Sequence, residues 1–261
     1  HERAAGLGIR LLDRADLRRE APYVADGMVG GAFCPDEGKA NPFVVAPAFA
    51  AAAVKRGARI ERQATVLGIE RTGSGYDVAT SRGVFTARRV VNAAGSDTGR
   101  IAAMLGIDLA DVQGFPIQVS VTEQVAPLIP HLLYSASERL TLKQNRVGSL
   151  LIGGGWEADI GPHGTPVANP ESLRRNMAVA LSVVPALGDI RVIRTWAAIV
   201  NGTEDWMPIL GEVEKSPGFF INFFPWMGFT GGPLAARIVA SLVQDRPAPF
   251  DIDMRPFVPK G

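Results

Sequence analysis

Runs of hydrophobic residues alternate along the chain between the spacing of strands and the spacing of helices. The longest apolar run, from Ala46 to Val54, is hydrophobic almost all round, which predicts a buried helix. Asn41 could cap this helix with Pro42 in its first turn. Alternatively the helix begins at Pro47, because an interior proline would kink it. Both starts remain open from the sequence.

A β-meander is predicted after this helix, since short segments with strand-like alternation are separated by glycine-containing turns. The predicted strands cover residues 60–62, 65–70, 76–80 and 84–86.

Two later segments share one layout, a hydrophobic strand followed by a small-residue bend and a helix. The first is Arg89–Asn92, an apolar strand expected to be buried on both faces, with a bend at Ala93–Gly95 and a helix over 98–105. The second is Phe219–Phe223, followed by a bend and helix opening at Gly228–Pro233. Glycine and alanine let backbone approach a flat or phosphorylated ligand, so this layout is typical of a nucleotide-binding edge. A plain close-packed turn is the alternative for each bend.

The middle of the chain predicts a second layer built on an antiparallel or mixed sheet. Its predicted elements are strands at 117–122, 140–142, 150–152 and 191–200 and a helix at 170–184. With the flanking segments this predicts an α/β (α+β) fold.

Composition excludes several classes of protein. The 261 residues are 47% hydrophobic and 20% charged, with a net charge of +1 and no basic block, so nothing favours nucleic-acid binding. No apolar run approaches the roughly 20 residues of a membrane span. Cys34 is the only cysteine, which excludes an internal disulfide and fits a cytoplasmic location.

Motifs for metal binding and nucleophilic catalysis are absent from the sequence. His1, His131 and His163 are the only histidines, and their spacing predicts no metal site. There is no Gly-x-Ser-x-Gly elbow, and no Gly-x-Gly-x-x-Gly follows the first predicted strand.

The order of the remaining motifs resembles the D-amino acid oxidase superfamily of FAD-dependent oxidoreductases, which includes glycine oxidase, sarcosine oxidase and opine or proline dehydrogenase subunits. The segments that carry the resemblance are 38–57, 89–95, 194–211 and 218–233. It implies an FAD/NAD(P)-binding Rossmann-like domain interleaved with a mixed-sheet substrate domain. Residues 1–110 and 212–261 would form most of the former, and 111–211 the latter.

The same resemblance implies which residues meet FAD. Val66 would lie by the adenine, Ala94 and Gly95 by the phosphate and ribose, and Ala198 by the flavin ring. The residues implied along the pyrimidine side of the flavin are Met227, Gly228, Phe229 and Thr230.

The chain departs from the family at its beginning. Family members open with a βαβ unit that carries Gly-x-Gly-x-x-Gly, and in this chain that unit and the stretch after it, roughly a hundred residues, are missing. The first residue is His1 rather than Met. The sequence therefore predicts an incomplete FAD domain, with weak or absent FAD binding by this chain alone.

The implied substrate pocket is apolar. Val200 and Trp226 stand where glycine oxidases carry carboxylate-binding arginines, and Leu140 stands where the family has a tyrosine. Gln144 and Trp156 complete the predicted pocket. A small-molecule amine or amino acid is expected, and a secondary or bulkier amine fits better than glycine. Hydride transfer from a neutral amine requires no acid or base, so no catalytic residue is nominated.

Two other functions stay open from the sequence. The chain could be a flavin-free remnant or subunit acting as a binding or interaction module, and a nicotinamide enzyme is a third possibility. Apolar surface expected at Val90, Val91 and Phe220 favours a homodimer or a partner subunit.

Overall fold

The computed structural model describes residues 1–109 and 111–259. The strands are β1 (Arg10–Asp13), β2 (Gly30–Phe33), β3 (Val66–Thr72), β4 (Gly75–Thr80), β5 (Gly83–Ala87), β6 (Val90–Asn92), β7 (Gln113–Gln124), β8 (Leu132–Ser135), β9 (Leu140–Gln144), β10 (Ser149–Glu157), β11 (Asp159–Ile160), β12 (Pro166–Val167), β13 (Val192–Gly202), β14 (Ile209–Glu212) and β15 (Phe219–Phe223). The α-helices are α1 (Arg14–Glu20), α2 (Pro42–Lys55), α3 (Thr98–Ala103), α4 (Pro170–Val183) and α5 (Gly228–Leu242).

The described residues fall into two compact units. The first contains residues 1–41 and 116–198, and the second contains 42–109, 111–115 and 199–259. This division differs from the predicted domain bounds at 1–41, 111–115 and 199–211. Residues 1–41 belong with the first unit because Ala25 donates a backbone hydrogen bond of 2.8 Å to Val183.

The first unit is organised around a five-stranded sheet in the order β13-β7-β10-β9-β8, in which β7, β10, β9 and β8 are paired antiparallel. Helix α4 packs on this sheet and closes a core that includes Leu142, Leu150 and Val184. Asn169 caps α4 by accepting a hydrogen bond of 2.8 Å from the N–H of Ser172. Pro185 follows the helix, so the predicted helix over 170–184 is confirmed to within a residue.

The second unit contains the meander β3-β4-β5 and a three-stranded sheet in the order β14-β15-β6. Tyr76 joins the two, because its fully buried hydroxyl lies 2.8 Å from the carbonyl oxygen of Pro217 and 3.0 Å from that of Ser216, immediately before β15. Helix α5 packs on β14 and β15 through Ala235, Ile238 and other apolar residues.

The burial predicted for α2 is wrong. The helix begins at Pro42 and tolerates Pro47 in its interior, yet none of its residues is buried. Val44 and Phe49 are 61% and 60% exposed. Apolar composition on every side predicts a helix that prefers to be covered, but it does not identify a covering surface.

Three smaller expectations also fail. Residues 60–62 are not a strand. Strand β6 is not buried on both faces, because Val91 is 42% exposed. Phe220, expected at the surface, is only 2% exposed, since α5 covers that face of β15.

No helix among the described residues is long and apolar enough to cross a membrane.

Candidate functional site

The two small-residue bends lie at one edge of one sheet. Strands β6 and β15 are hydrogen-bonded neighbours and run parallel, with Val90 opposite Phe219 and Asn92 opposite Ile221. Parallel neighbours end at the same edge of a sheet, so Ala93–Gly95 and the residues that open α5 leave it side by side. We call this place the cofactor edge, defined by Ala94, Gly95 and Met227–Thr230.

Asn92 fixes the first bend. This residue is 3% exposed, and its side-chain amide donates a hydrogen bond of 2.9 Å to the carbonyl oxygen of Thr98. Its side-chain oxygen accepts a longer hydrogen bond, 3.3 Å, from the N–H of Ala94. Gly95 then adopts φ +60°, a left-handed conformation that glycine tolerates without strain. The bend is therefore held from within the strand that precedes it.

The second bend leaves open space at two of its three glycines. A Cβ placed on Gly228 or Gly232 would meet no atom within 4 Å. A Cβ on Gly231 would collide with the ring of Phe224, so this glycine is required for packing. Met227 and Phe229 are 46% and 51% exposed. The outer surface of the bend thus has room for a ligand, whereas its inner surface is filled by the ring of Phe224.

Asn201, near the end of β13, lies against both bends. Its carbonyl oxygen accepts a hydrogen bond of 2.9 Å from the N–H of Trp226, directly before the second bend. Its side-chain nitrogen is 3.9 Å from the position of a Cβ on Gly95, in the first bend. Sequence reasoning missed both Asn201 and Asn92. An asparagine that ends a strand before small residues is a turn signal, which could have identified Asn92; Asn201 has no such local signal.

The other residues implied by the resemblance are distributed over the two units. Val66 is half-buried at the start of β3 and packs against the core of the second unit. Val200 is half-buried in the same unit. Ala198 is exposed and belongs to the first unit.

Three residues of the predicted substrate pocket lie in the interior of the first unit. Leu140 is 2% exposed within the core of that unit. Gln144 holds the segment before β8 by side-chain hydrogen bonds. Its side-chain oxygen accepts from the N–H groups of Leu128 and Ile129 at 2.7 and 3.0 Å, and its side-chain NH2 group donates to three backbone carbonyl groups. Trp156 is 5% exposed and donates a hydrogen bond of 2.7 Å to the carbonyl oxygen of Arg139. Their role in binding a substrate stays a prediction, because these contacts hold the unit together and point to no ligand.

Trp226, by contrast, is 44% exposed and belongs to an aromatic group in the second unit. Its ring meets that of Trp206 edge to face, and Trp206 stacks on Phe115. Among the described residues, no group of three or more His, Cys, Asp or Glu side chains is arranged to hold a metal ion.

A parallel strand pair that ends in two glycine-containing bends, one of them opening a helix, is an arrangement found in dinucleotide-binding α/β proteins. The model of the FAD dependent oxidoreductase family matches residues 1–242, and the chain belongs to this family. The resemblance drawn from the sequence and the α/β (α+β) fold are thereby confirmed.

Individual relatives agree with this assignment. An opine oxidase subunit of Rhizobium meliloti is 30% identical over 231 residues, which cover 88% of this chain and 59% of that protein. Glycine oxidase of Bacillus subtilis (strain 168) is 27% identical over 236 residues, 89% of this chain and 60% of the relative. The solved structure of L-proline dehydrogenase from P. horikoshii superposes with a TM-score of 0.90 at 25% identity, covering 99% of this chain and 70% of that one. The chain thus spans less than two thirds of the length of the opine oxidase and glycine oxidase relatives.

Proposed function

We propose that this chain supplies the cofactor edge of an FAD-dependent oxidoreductase that oxidises a C–N bond of an amino acid or amine. The observation that carries the proposal is the parallel pairing of β6 with β15, which places both small-residue bends at one edge. Family membership supports FAD as the cofactor. We assign the cofactor chiefly to the second unit, because Val66, Gly95 and Gly228 all belong to it.

The residues at the edge fit a flat, polar ligand. Gly228 and Gly232 leave space where any larger residue would place a side chain. The first N–H groups of α5, from Gly228 to Thr230, have no partner inside the helix and can donate to the polar rim of a ring or to an anion. Ala94 is exposed beside Gly95, and neither residue has bulk that would block the approach of a ribose or phosphate.

When bound, FAD supplies a hydride acceptor: the carbon beside the nitrogen gives up a hydride, the nitrogen loses a proton, and the imine that forms is hydrolysed by water. The chain's own residues would position the amine. Val200 is half-buried and Trp226 half-exposed, and neither can form an ion pair with a carboxylate. A secondary or bulkier amine therefore suits these positions better than glycine.

An FAD titration of the 261-residue chain, followed by flavin fluorescence polarisation, tests the cofactor assignment. We expect binding weaker than micromolar, because the described edge contacts only part of so large a ligand. Gly228→Val should weaken binding further by filling the open space. Gly73→Val is the matched control, since Gly73 also has no atom within 4 Å of its Cβ position but lies in the meander. Micromolar or tighter binding would contradict the expected weakness, and equal affinities of the two variants would contradict the site.

A second role, as one subunit of an assembly, is favoured by the exposed apolar surface of α2. The opine oxidase relative from R. meliloti is by its name a subunit. We propose that a second copy of the chain covers this helix. Light scattering should show a dimer that Phe49→Ser weakens and Val147→Ser does not, Val147 being 64% exposed in a turn of the first unit. A monomer at all concentrations would contradict the homodimer.

A further inference from the structure

Three aromatic side chains of the second unit form a right-angled corner. Phe115 and Trp206 are stacked, with ring centroids 5.7 Å apart and planes inclined by 28°. Trp206 and Trp226 have the same centroid separation, but their planes meet at 89°. The two indoles are 49% and 44% exposed, so a large part of their surface is left uncovered. We call Phe115, Trp206 and Trp226 the aromatic corner.

The backbone around the corner is specialised to place these rings. Trp206 and Trp226 have φ of +59° and +51°, the left-handed region that bulky residues rarely adopt. Gly202 must lack a side chain, because a Cβ there would come within 2.7 Å of the Phe115 ring and 3.0 Å of the Trp206 ring.

Backbone hydrogen bonds hold both strained residues, one across the fold and one within a turn. The N–H of Trp226 donates to the carbonyl oxygen of Asn201 at 2.9 Å, and the N–H of Trp206 donates to that of Thr203 at 3.3 Å. The Thr203 hydroxyl in turn donates to the carbonyl oxygen of Met207 at 3.1 Å. Strain at two half-exposed tryptophans is not explained by burial, and strain maintained at the surface is characteristic of binding sites.

The charges near the corner restrict the chemistry of its ligand. The segments that carry it, residues 113–115, 199–211 and 219–236, contain no lysine or arginine. They contain two acidic residues beside Trp206, namely Glu204 and Asp205. Indole faces attract cations and stack on other aromatic rings. A ligand that carries an ammonium group and an aromatic ring matches both properties, whereas these segments offer no cation to a carboxylate.

We propose that the aromatic corner binds an arylalkyl ammonium group and thereby selects the amine substrate of this chain; the bound ammonium releases a proton to water before the neutral amine gives up its hydride. The assignment of that ligand as a substrate rests on the function proposed above; its binding does not. Trp226 directly precedes Met227 and Gly228, so a ligand on the corner lies beside the cofactor edge. The substrate class that follows is an amine bearing an aromatic ring, rather than glycine.

Binding is tested without flavin. The 261-residue chain is titrated with benzyltrimethylammonium, N-methylbenzylamine and glycine, and dissociation constants are measured by ligand-observed NMR. We expect saturable binding of the two benzyl ammonium compounds and none of glycine at equal concentration. Trp226→Asn, which keeps a residue that tolerates the left-handed region, and Trp206→Leu should each weaken binding about tenfold. Trp196→Phe, in β13 and outside the corner, is the control and should bind like the parent chain.

Thermal unfolding of the same variants separates a ligand site from a packing cluster. Relief of strain should leave the melting temperature of Trp226→Asn unchanged or higher, whereas a purely structural tryptophan would lower it. The proposal is overturned if neither benzyl compound saturates, if glycine binds equally well, or if Trp226→Asn and Trp196→Phe have equal affinities.

A separate anaerobic experiment with FAD bound distinguishes failure of the proposed oxidoreductase function from failure of the proposed binding site. If N-methylbenzylamine binds at the corner but does not bleach the flavin, the oxidoreductase proposal fails for this amine and the binding site stands.

Discussion

The adjacent glycines of α5 provide a sharp test of the site geometry. Gly231 and Gly232 both lie near the start of the helix, and neither has a left-handed φ. A Cβ on Gly231 would lie 2.5 and 2.7 Å from two carbons of the Phe224 ring, whereas a Cβ on Gly232 would meet nothing within 4 Å. The two alanine substitutions therefore differ in one physical respect, the collision with Phe224.

Helix propensity and the collision with Phe224 have opposite effects on the free energy of unfolding. Alanine is favoured over glycine by up to about 1 kcal/mol inside a helix. Gly232→Ala should accordingly raise the free energy of unfolding by up to that amount. Gly231→Ala gains the same propensity but forces apart a packed ring, which costs about 1–3 kcal/mol. Phe224 packs against the core that includes Leu210 and Phe220, so its ring has little freedom to move away.

Urea unfolding followed by circular dichroism measures both variants beside the parent chain. We expect Gly231→Ala to be less stable than Gly232→Ala by about 1–3 kcal/mol. Equal midpoints would refute the reasoning, because they would mean that Phe224 does not fill the space behind the bend. Gly232→Ala also tests the proposed FAD site. The variant should fold at least as well as the parent chain and still bind FAD more weakly, because its methyl group occupies the open side of the cofactor edge.

Three further predictions concern buried polar groups. Tyr76→Phe removes the hydroxyl beside the carbonyl groups that precede β15, and we expect urea titration to show a loss of about 1–3 kcal/mol; an unchanged midpoint would contradict the link between the meander and β15. Gln144→Met leaves two backbone N–H groups without an acceptor and should cost about 2–4 kcal/mol by the same assay, and a loss below about 0.5 kcal/mol would contradict it. Burial, with a smaller contribution from Glu20, raises the pKa of Tyr23 to about 12 from an ordinary value of 10.0. The protonated Tyr23 hydroxyl therefore contributes its full stabilisation below pH 10, and this contribution is lost as the pH rises towards 12. Tyr23→Phe should therefore lose less stability between pH 10 and 12 than the parent chain in pH-dependent urea titrations, although it lacks the hydrogen bond to His131, and identical pH profiles would contradict the shift.

Much of the fold could be predicted from local patterns. β6 and β15 are short apolar runs next to glycine or alanine, and α4 carries its own cap at Asn169 and a proline at its end. Such signals act over a few residues, so they are visible in one sequence. Burial is different, because it depends on what covers a surface. The exposed Phe49 of α2 and the buried Phe220 of β15 are equally apolar, and only packing distinguishes them.

The two small-residue bends of the candidate site could be predicted from the local sequence, whereas contacts between distant residues could not. Gly95 and Gly228 are recognisable because small residues follow strands. The pairing of Trp206 with Trp226 was not recognisable, since the two are 20 positions apart and their left-handed φ values have no signature in tryptophan. Gln144, which the resemblance implies to face a substrate, forms its side-chain hydrogen bonds with the backbone of its own unit, and its role in substrate binding stays a prediction.

The parallel pairing of β6 with β15 also has a consequence for the order in which the chain folds. The two strands are separated by on the order of 130 residues, so closing this contact requires a long loop. The meander β3-β4-β5 and the β14–β15 pair need only local contacts and can form earlier. The proposed cofactor edge is therefore expected to form late in folding, and FAD at saturating concentration should slow unfolding without accelerating refolding.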